Sequence, residues 1–190
     1  MHPGFTFESM KQRVILILFL FPLFLSAQQK GIEWLSIEEA QERMQKEPKK
    51  IIMDVYTKWC GPCKMMMRNT FTNKDVIDYI DKHYYAVKFD AESAEALTFN
   101  GQTFENPDYD PNRKGRNGVH QFARYLRVSA YPTIMYMDEE LNLLTADKGY
   151  KTPQQLELLM RFFAEDGHKQ VTTQEEFNAY RSAFVPSFGE

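Results

Sequence analysis

The sequence predicts an α/β domain in which strands alternate with helices and the reactive chemistry sits where one strand hands over to one helix. Three observations carry this expectation. The apolar run Ile51-Ile52-Met53-Asp54-Val55-Tyr56 suits a buried strand. Residues 64–71 lack Gly and Pro and suit a helix. Between the two lies Trp59-Cys60-Gly61-Pro62-Cys63-Lys64, which holds both cysteines of the chain. A C-x-x-C at a strand-to-helix turn reads as a dithiol redox pair.

The physical reason is local. Cys60 falls at a helix N-terminus, where free backbone N–H groups and the positive dipole end favour an anion. Such a site lowers a thiol pKa from about 8.5 to roughly 3.5–7.5, and the thiolate is the nucleophile of disulfide exchange. Cys63 lies one turn further on, within reach of a disulfide to Cys60. Pro62 supplies a fixed φ in the first turn, where its missing N–H costs little. A bridge between these two residues closes a very short loop and so constrains the unfolded chain little, which argues against a purely structural staple. A structural zinc site needs four ligands, and His83, His120 and His168 show no ligand-like spacing, so no metal is expected.

W-C-G-P-C-K resembles thioredoxin, and the surroundings agree over roughly residues 31–166. Asp54, six residues before Cys60, matches the buried aspartate of that family. Val87-Lys88-Phe89-Asp90 resembles its third strand, with Lys88 on the family's lysine partner of the aspartate. Tyr131-Pro132-Thr133 resembles the cis-proline segment that faces the dithiol, and Gly149 matches a glycine near the partner-binding surface. The resemblance implies a three-layer thioredoxin-like fold: a central mixed sheet flanked by helices, with an insertion after the third strand and an extra C-terminal helix. It implies catalytic roles for Cys60, Cys63, Asp54 and Lys88, and a docking surface of Trp59, Gly61, Pro62, Tyr131, Pro132 and Gly149. Asp54 would accept the proton of Cys63, because burial raises a carboxyl pKa toward neutrality; the other reading is a strand-end acid facing water. Tyr131 is bulkier than the Ile common at that position.

The start of the chain reads differently. Lys11-Gln12-Arg13 is basic, residues 14–25 are apolar apart from Pro22, and Ser26-Ala27 are small, the pattern of a secretory signal peptide. The apolar run falls short of the roughly 20 residues a spanning helix needs, so a retained anchor is the weaker reading. Met10 is a natural beginning for such a signal. The expected organisation is therefore a signal peptide over residues 1–27 and a domain over 28–190, in a protein that is periplasmic or otherwise exported. The net charge of −3 argues against nucleic acid, which needs a basic footprint.

In chain order, a short strand is expected at Trp34-Leu35, then a helix capped by Ser36 and Glu39 and ended before Pro48. Met65, Met66 and Met67 read as core filling on the dithiol helix. Asn73 caps a helix over 74–82, and residues 84–90 form the next strand. Residues 92–116 carry the turn signals Asn100-Gly101, Asn106-Pro107, Asp110-Pro111 and Lys114-Gly115 and show no clear periodicity. This insertion follows the C-terminal end of a strand, where sites gather in open α/β sheets. Phe99, Phe104 and Tyr109 either wall the dithiol or tuck onto the domain. A helix over 117–127, a hairpin from strands 133–137 and 143–149, a helix opened by Thr152-Pro153, and a last helix over 174–184 with a capping box in Thr172 and Glu175 complete the domain. Residues 167–190 are an extension that either covers an apolar surface or helps bind a partner.

The expected function is thiol–disulfide oxidoreduction. Gly61-Pro62 between the cysteines resembles reducing thioredoxins, whose potential is near −270 mV, against about −120 mV for the periplasmic oxidant type. Disulfide-containing exported proteins are the expected partners. No nicotinamide or flavin motif is present, so no cofactor is expected, and a membrane thiol donor would supply electrons. The alternatives are a disulfide oxidase or isomerase, and a non-catalytic redox-sensitive binding module that holds a partner through residues 92–116.

Overall fold

The computed structural model describes residues 31–189, together with Met1. The expected signal segment lies outside these residues. No helix among them is long and apolar enough to cross a membrane.

The elements run β1 (Trp34–Leu35), α1 (Ile37–Met44), β2 (Lys50–Tyr56), α2 (Gly61–Asn69), α3 (Lys74–His83), β3 (Tyr84–Asp90), β4 (Leu97–Phe99), β5 (Gln102–Phe104), α4 (Gln121–Tyr125), β6 (Thr133–Met137), β7 (Leu143–Lys148), α5 (Pro153–Ala164) and α6 (Gln174–Ala183). Five strands make one mixed sheet in the order β1-β3-β2-β6-β7, with β2 parallel to β3 and antiparallel to β6. β2 is central and buried along nearly its whole length, which is why its sequence is almost uninterruptedly apolar.

Alternate residues of β2 face opposite layers. Ile51, Met53 and Val55 pack with Ile37, Ala40 and Met44 of α1 and with Phe122 of α4. Ile52 packs on the other side with Met66 of α2, Val76 and Ile80 of α3, and Leu156 and Met160 of α5. The expected three layers are present. Ser36 and Glu39 form the capping box of α1, and the Asn73 side chain accepts from the Asp75 and Val76 N–H groups at the start of α3.

Residues 92–116 are more ordered than their composition suggests. β4 and β5 form a hairpin across Asn100-Gly101, both at positive φ (49° and 78°), the conformation that Asn-Gly favours in two-residue turns. Gln41 of α1 holds the hairpin from both sides: its Nε2 donates to Thr98 O at 2.8 Å, and its Oε1 accepts from Asn100 N–H at 2.8 Å. Phe99 and Phe104 turn inward onto Phe122, so they tuck onto the domain and do not wall the dithiol.

The helix expected over 117–127 is confined to Gln121–Tyr125. Residues 117–120 are engaged in holding the insertion. Gly118 lies so close to Asp108 that a Cβ there would sit 2.4 Å from its backbone, and His120 N–H donates to Ala91 O at 2.8 Å. The His120 ring is buried, accepts from Phe122 N–H through Nδ1 and bonds Glu95 O through Nε2. The capping box of α6 uses Thr173 and Glu176, one residue later than expected; Thr-Thr followed by Glu-Glu satisfies either register. Of the three methionines on α2, only Met66 is core; Met65 is exposed and Met67 half-buried.

The C-terminal extension covers an apolar face. Phe177 and Tyr180 of α6 pack on Phe162, and Phe188 is buried beside Tyr79. The tail is tied by the fully buried Glu157, which accepts from Ser187 N–H (2.7 Å), Ser187 Oγ (2.5 Å), Phe188 N–H (2.9 Å) and Arg161 Nε (2.7 Å). Burial alone would raise this carboxyl, but the hydrogen bonds from Ser187, Phe188 and Arg161 outweigh it and hold the group below its ordinary value. A depressed folded pKa contributes stability above the unfolded value of 4.5 that is lost as pH falls through the folded pKa. Glu157→Ala leaves the tail amides and Arg161 without their acceptor. It should lower stability at pH 7 by about 2–4 kcal/mol in urea unfolding, and the difference should shrink below pH 4. A stability within about 0.5 kcal/mol of the parent at pH 7 would contradict this role.

Candidate functional site: a dithiol at the end of the sheet

Cys60 is the N-cap of α2, in extended backbone conformation, and Pro62 lies in the first turn. The Cys60 Sγ accepts a hydrogen bond from Cys63 N–H at 3.1 Å. This bond uses one of the donors that a helix start leaves free, and it strengthens when the sulfur carries a charge. Cys60 and Cys63 form a disulfide with a Cα–Cα distance of 5.3 Å. The two residues are only 2% and 3% exposed, so a partner reaches the sulfurs along a restricted approach.

The sheet brings the remaining expected residues to the same end. Tyr56, the last residue of β2, is in register with Asp90, the last of β3, so the dithiol turn and the insertion leave side by side. β6 runs the other way, and its first residue Thr133 pairs with Val55. Pro132, immediately before it, therefore lies at that end too. The Tyr131–Pro132 bond is cis, as the resemblance implies. Gly149, at φ 85°, donates its N–H to Pro132 O at 2.7 Å, so two of the six residues assigned to the docking surface are joined directly.

Asp54 shares the face of β2 that Ile52 turns toward α2 and α3. It is 2% exposed, and among the described residues neither carboxylate oxygen has a hydrogen-bond partner. Burial pushes its pKa up, the Lys88 charge pulls it down, and the balance leaves it at about 6. Lys88 is its register neighbour on β3 but makes no ion pair with it. The Lys88 Nζ instead donates to Met67 Sδ at 3.1 Å and lies 4.8 and 5.6 Å from the ring centroids of Tyr56 and Trp34. The expected Asp54–Lys88 pairing is thus replaced by a field acting across a gap. Soft, polarisable groups take up the ammonium, and the carboxyl keeps its raised pKa.

Trp59 was expected on the docking surface; what holds it was not visible in the sequence. Its Nε1 donates to both oxygens of Glu92 at 3.0 and 2.9 Å. Tyr131 meets the indole edge-on at 5.9 Å, and the Arg116 guanidinium lies 4.4 Å from the indole centroid. Glu92 and Arg116 stand at the two ends of the insertion, so both of its ends grip the residue before Cys60. The only sequence signal for Glu92 is its place just past the strand end beside the dithiol turn; nothing local marks Arg116. Among the described residues no group of three or more His, Cys, Asp and Glu side chains is placed to hold a metal ion.

The Asp54 carboxyl gives a stability test with a definite sign. Its folded pKa of about 6 exceeds the ordinary 3.8, so its ionisation opposes folding. That cost is absent below about pH 4, grows between 3.8 and about 6, and is fully present above. Asp54→Asn, a neutral isostere, should therefore stabilise the oxidised protein by about 1–3 kcal/mol at pH 8 and change little at pH 4, read by urea unfolding. A loss of stability at pH 8 would mean that the carboxylate is satisfied after all.

The comparisons with known proteins agree with this geometry. A family model described as a thioredoxin-like domain matches residues 37–164. No curated protein sequence matches the chain. Among solved structures, a thioredoxin-fold protein from Helicobacter pylori is 14% identical, with 71% of this chain and 81% of that chain covered and a TM-score of 0.55. A thioredoxin from Thermus thermophilus is 13% identical, with 76% and 99% covered and a TM-score of 0.55. These two likenesses are of fold. A candidate disulphide-isomerase from Bacteroides thetaiotaomicron is 26% identical, with 73% and 98% covered and a TM-score of 0.51. With the family model spanning most of the chain and a disulfide-bridged C-x-x-C at the start of α2, the chain belongs to the thioredoxin-like family, and its dithiol is that of a thiol–disulfide oxidoreductase.

Proposed function

We propose that the protein works as a reductase of disulfides in exported proteins. The observation that carries the reading is Asp54, a buried carboxyl without hydrogen bonds, on the sheet face beneath the dithiol helix, with its pKa raised to about 6. A reductase must let go of its substrate, and that step needs Cys63 deprotonated. A base poised near working pH serves it.

The reaction runs in two steps. The Cys60 thiolate attacks one sulfur of the substrate disulfide; the Cys60–substrate bond forms, the substrate S–S bond breaks, and one substrate thiolate leaves and takes a proton from solvent. Asp54 then accepts the Cys63 proton. The Cys63 sulfur attacks Cys60 Sγ, the Cys60–Cys63 bond forms, the Cys60–substrate bond breaks, and the second substrate sulfur departs as a thiolate that takes a proton from solvent. Two electrons pass from the dithiol to the substrate. A membrane thiol donor outside the chain restores the reduced pair. Trp59 and Pro132 shape the docking surface, and the extended backbone at Tyr131 and Pro132 offers strand-like pairing to the partner. Export rests on the basic and apolar pattern of residues 11–27. The Gly61-Pro62 spacer supports the reducing direction through its resemblance to reducing thioredoxins.

Isomerisation is the second reading, favoured by the likeness to the candidate disulphide-isomerase of Bacteroides thetaiotaomicron. It uses the same first step but passes the mixed disulfide back to another substrate thiol.

Single-turnover reduction of a protein disulfide, with the mixed disulfide trapped by acid and quantified by mass, tests the mechanism. Release in the parent should accelerate with an inflection near pH 6, the Asp54 pKa. Asp54→Asn should slow release roughly 10- to 100-fold and lose that inflection. Unchanged release in the variant would remove Asp54 from the mechanism, and recovery of native pairing without net reduction would favour isomerisation.

A further inference from the structure

Residues 108–118 form a closed loop built to present its tip. Asn117 bridges its base: Asp110 N–H donates to Asn117 Oδ1 at 2.8 Å, and Asn117 Nδ2 donates to Asp110 O at 2.9 Å. The tip reads Arg113-Lys114-Gly115-Arg116, all exposed, with Gly115 at φ 89°. It leans on Trp59 through Arg116. Between the tip and the dithiol turn lies a cleft of about 360 Å³ lined by Lys58, Trp59, Asp90, Glu92, Tyr109 and Arg113 among others.

The charges in this cleft are not balanced in their availability. Both acids are engaged. Glu92 places both oxygens on the Trp59 indole. Asp90 accepts from Glu92 N–H at 3.0 Å and pairs with Lys58 at 3.4 Å. Among the described residues, the Arg113 and Lys114 side chains make no hydrogen bond or ion pair, and Arg116 is held by its stack alone. Arg113 on the cleft wall and Arg116 over Trp59, the residue before Cys60, are therefore free to meet a ligand, in a protein whose net charge is −3.

We propose that this loop selects disulfides flanked by acidic side chains, with Arg113 and Arg116 receiving the carboxylates while Cys60 attacks the sulfur. The proposal rests on the function given above and adds the substrate class. Guanidinium groups suit it because they meet carboxylates through two parallel hydrogen bonds. Complementary charge at a rim acts mainly on encounter and choice of partner, and it is screened by salt.

The test uses reduced protein carrying Cys63→Ser, so that the Cys60 adduct accumulates. Three peptides are offered, each with one cysteine activated as a pyridyl disulfide and flanked by Glu, Gln or Lys. The rate of peptide adduct formation on Cys60 is read by mass spectrometry. At low salt the Glu peptide should react about 3- to 10-fold faster than the Gln peptide and the Lys peptide slower than both, with the spread collapsing at 0.5 M salt. Arg113→Lys should keep the order, and Arg113→Glu should reverse it. Equal rates for the three peptides, or an order indifferent to Arg113→Glu, would overturn the proposal and leave the redox reading standing. No adduct with any peptide would overturn both.

Discussion

A carboxyl kept without hydrogen bonds in the central strand is the constraint on which the rest of this site depends. Burying an unpaired polar group costs about 1–3 kcal/mol, a real fraction of the 5–15 kcal/mol that holds a domain together. Asp54 is tolerated because the neighbouring layers are well filled: Ile52 and Met66 on its side of the sheet, Met53 and Val55 on the other, all essentially buried. The same burial gives the group its use. With a hydrogen bond or a direct ion pair, the carboxyl would be a settled anion with little basicity. Without either, it sits near pH 6 and is ready to take a proton. The Lys88 ammonium, directed onto Met67, Tyr56 and Trp34, tempers the shift without quenching it.

Around that acid the sheet end sorts tasks among its loops. The turn after β2 supplies the sulfurs, and the helix start behind Cys60 supplies an N–H for its charge. The turn before β6 supplies Pro132, braced by Gly149. The excursion after β3 supplies the clamp on Trp59. Its hairpin is anchored on α1 through Gln41 and its base through His120 and Gly118, so its far tip stands on a firm footing. Glu92 and Arg116 then fix the indole from within the same segment, which couples the shape of the docking face to the folding of the insertion.

Much of this was legible in the sequence because the signals were local. The strand expected over 51–56, one residue shorter than the observed β2, the Cys60 cap position, the Asn73 cap and the hairpin of β6 and β7 follow from apolar runs and short-range capping. The burial of Asp54 is what the resemblance to thioredoxins implies; the apolar strand by itself also allows an acid facing water. What escaped was long-range. Asn100-Gly101 was seen as a turn, but strands of three residues are too short to register as periodicity. Residues 117–120 look helical until Gly118 is found against Asp108 and His120 against Glu95. The Glu92–Trp59–Arg116 arrangement joins residues up to 57 positions apart through contacts that no spacing encodes. Glu157 reads as an ordinary helix-surface acid until the tail returns to it.

The reduction potential of the Cys60–Cys63 pair tests the central claim most directly. Equilibration of the purified protein with glutathione or dithiothreitol buffers, read by thiol alkylation and mass, gives it in one titration. A reductase with this spacer should lie near −270 mV. A value near −120 mV would make the reduced form too stable to give up its electrons and would contradict the proposed direction.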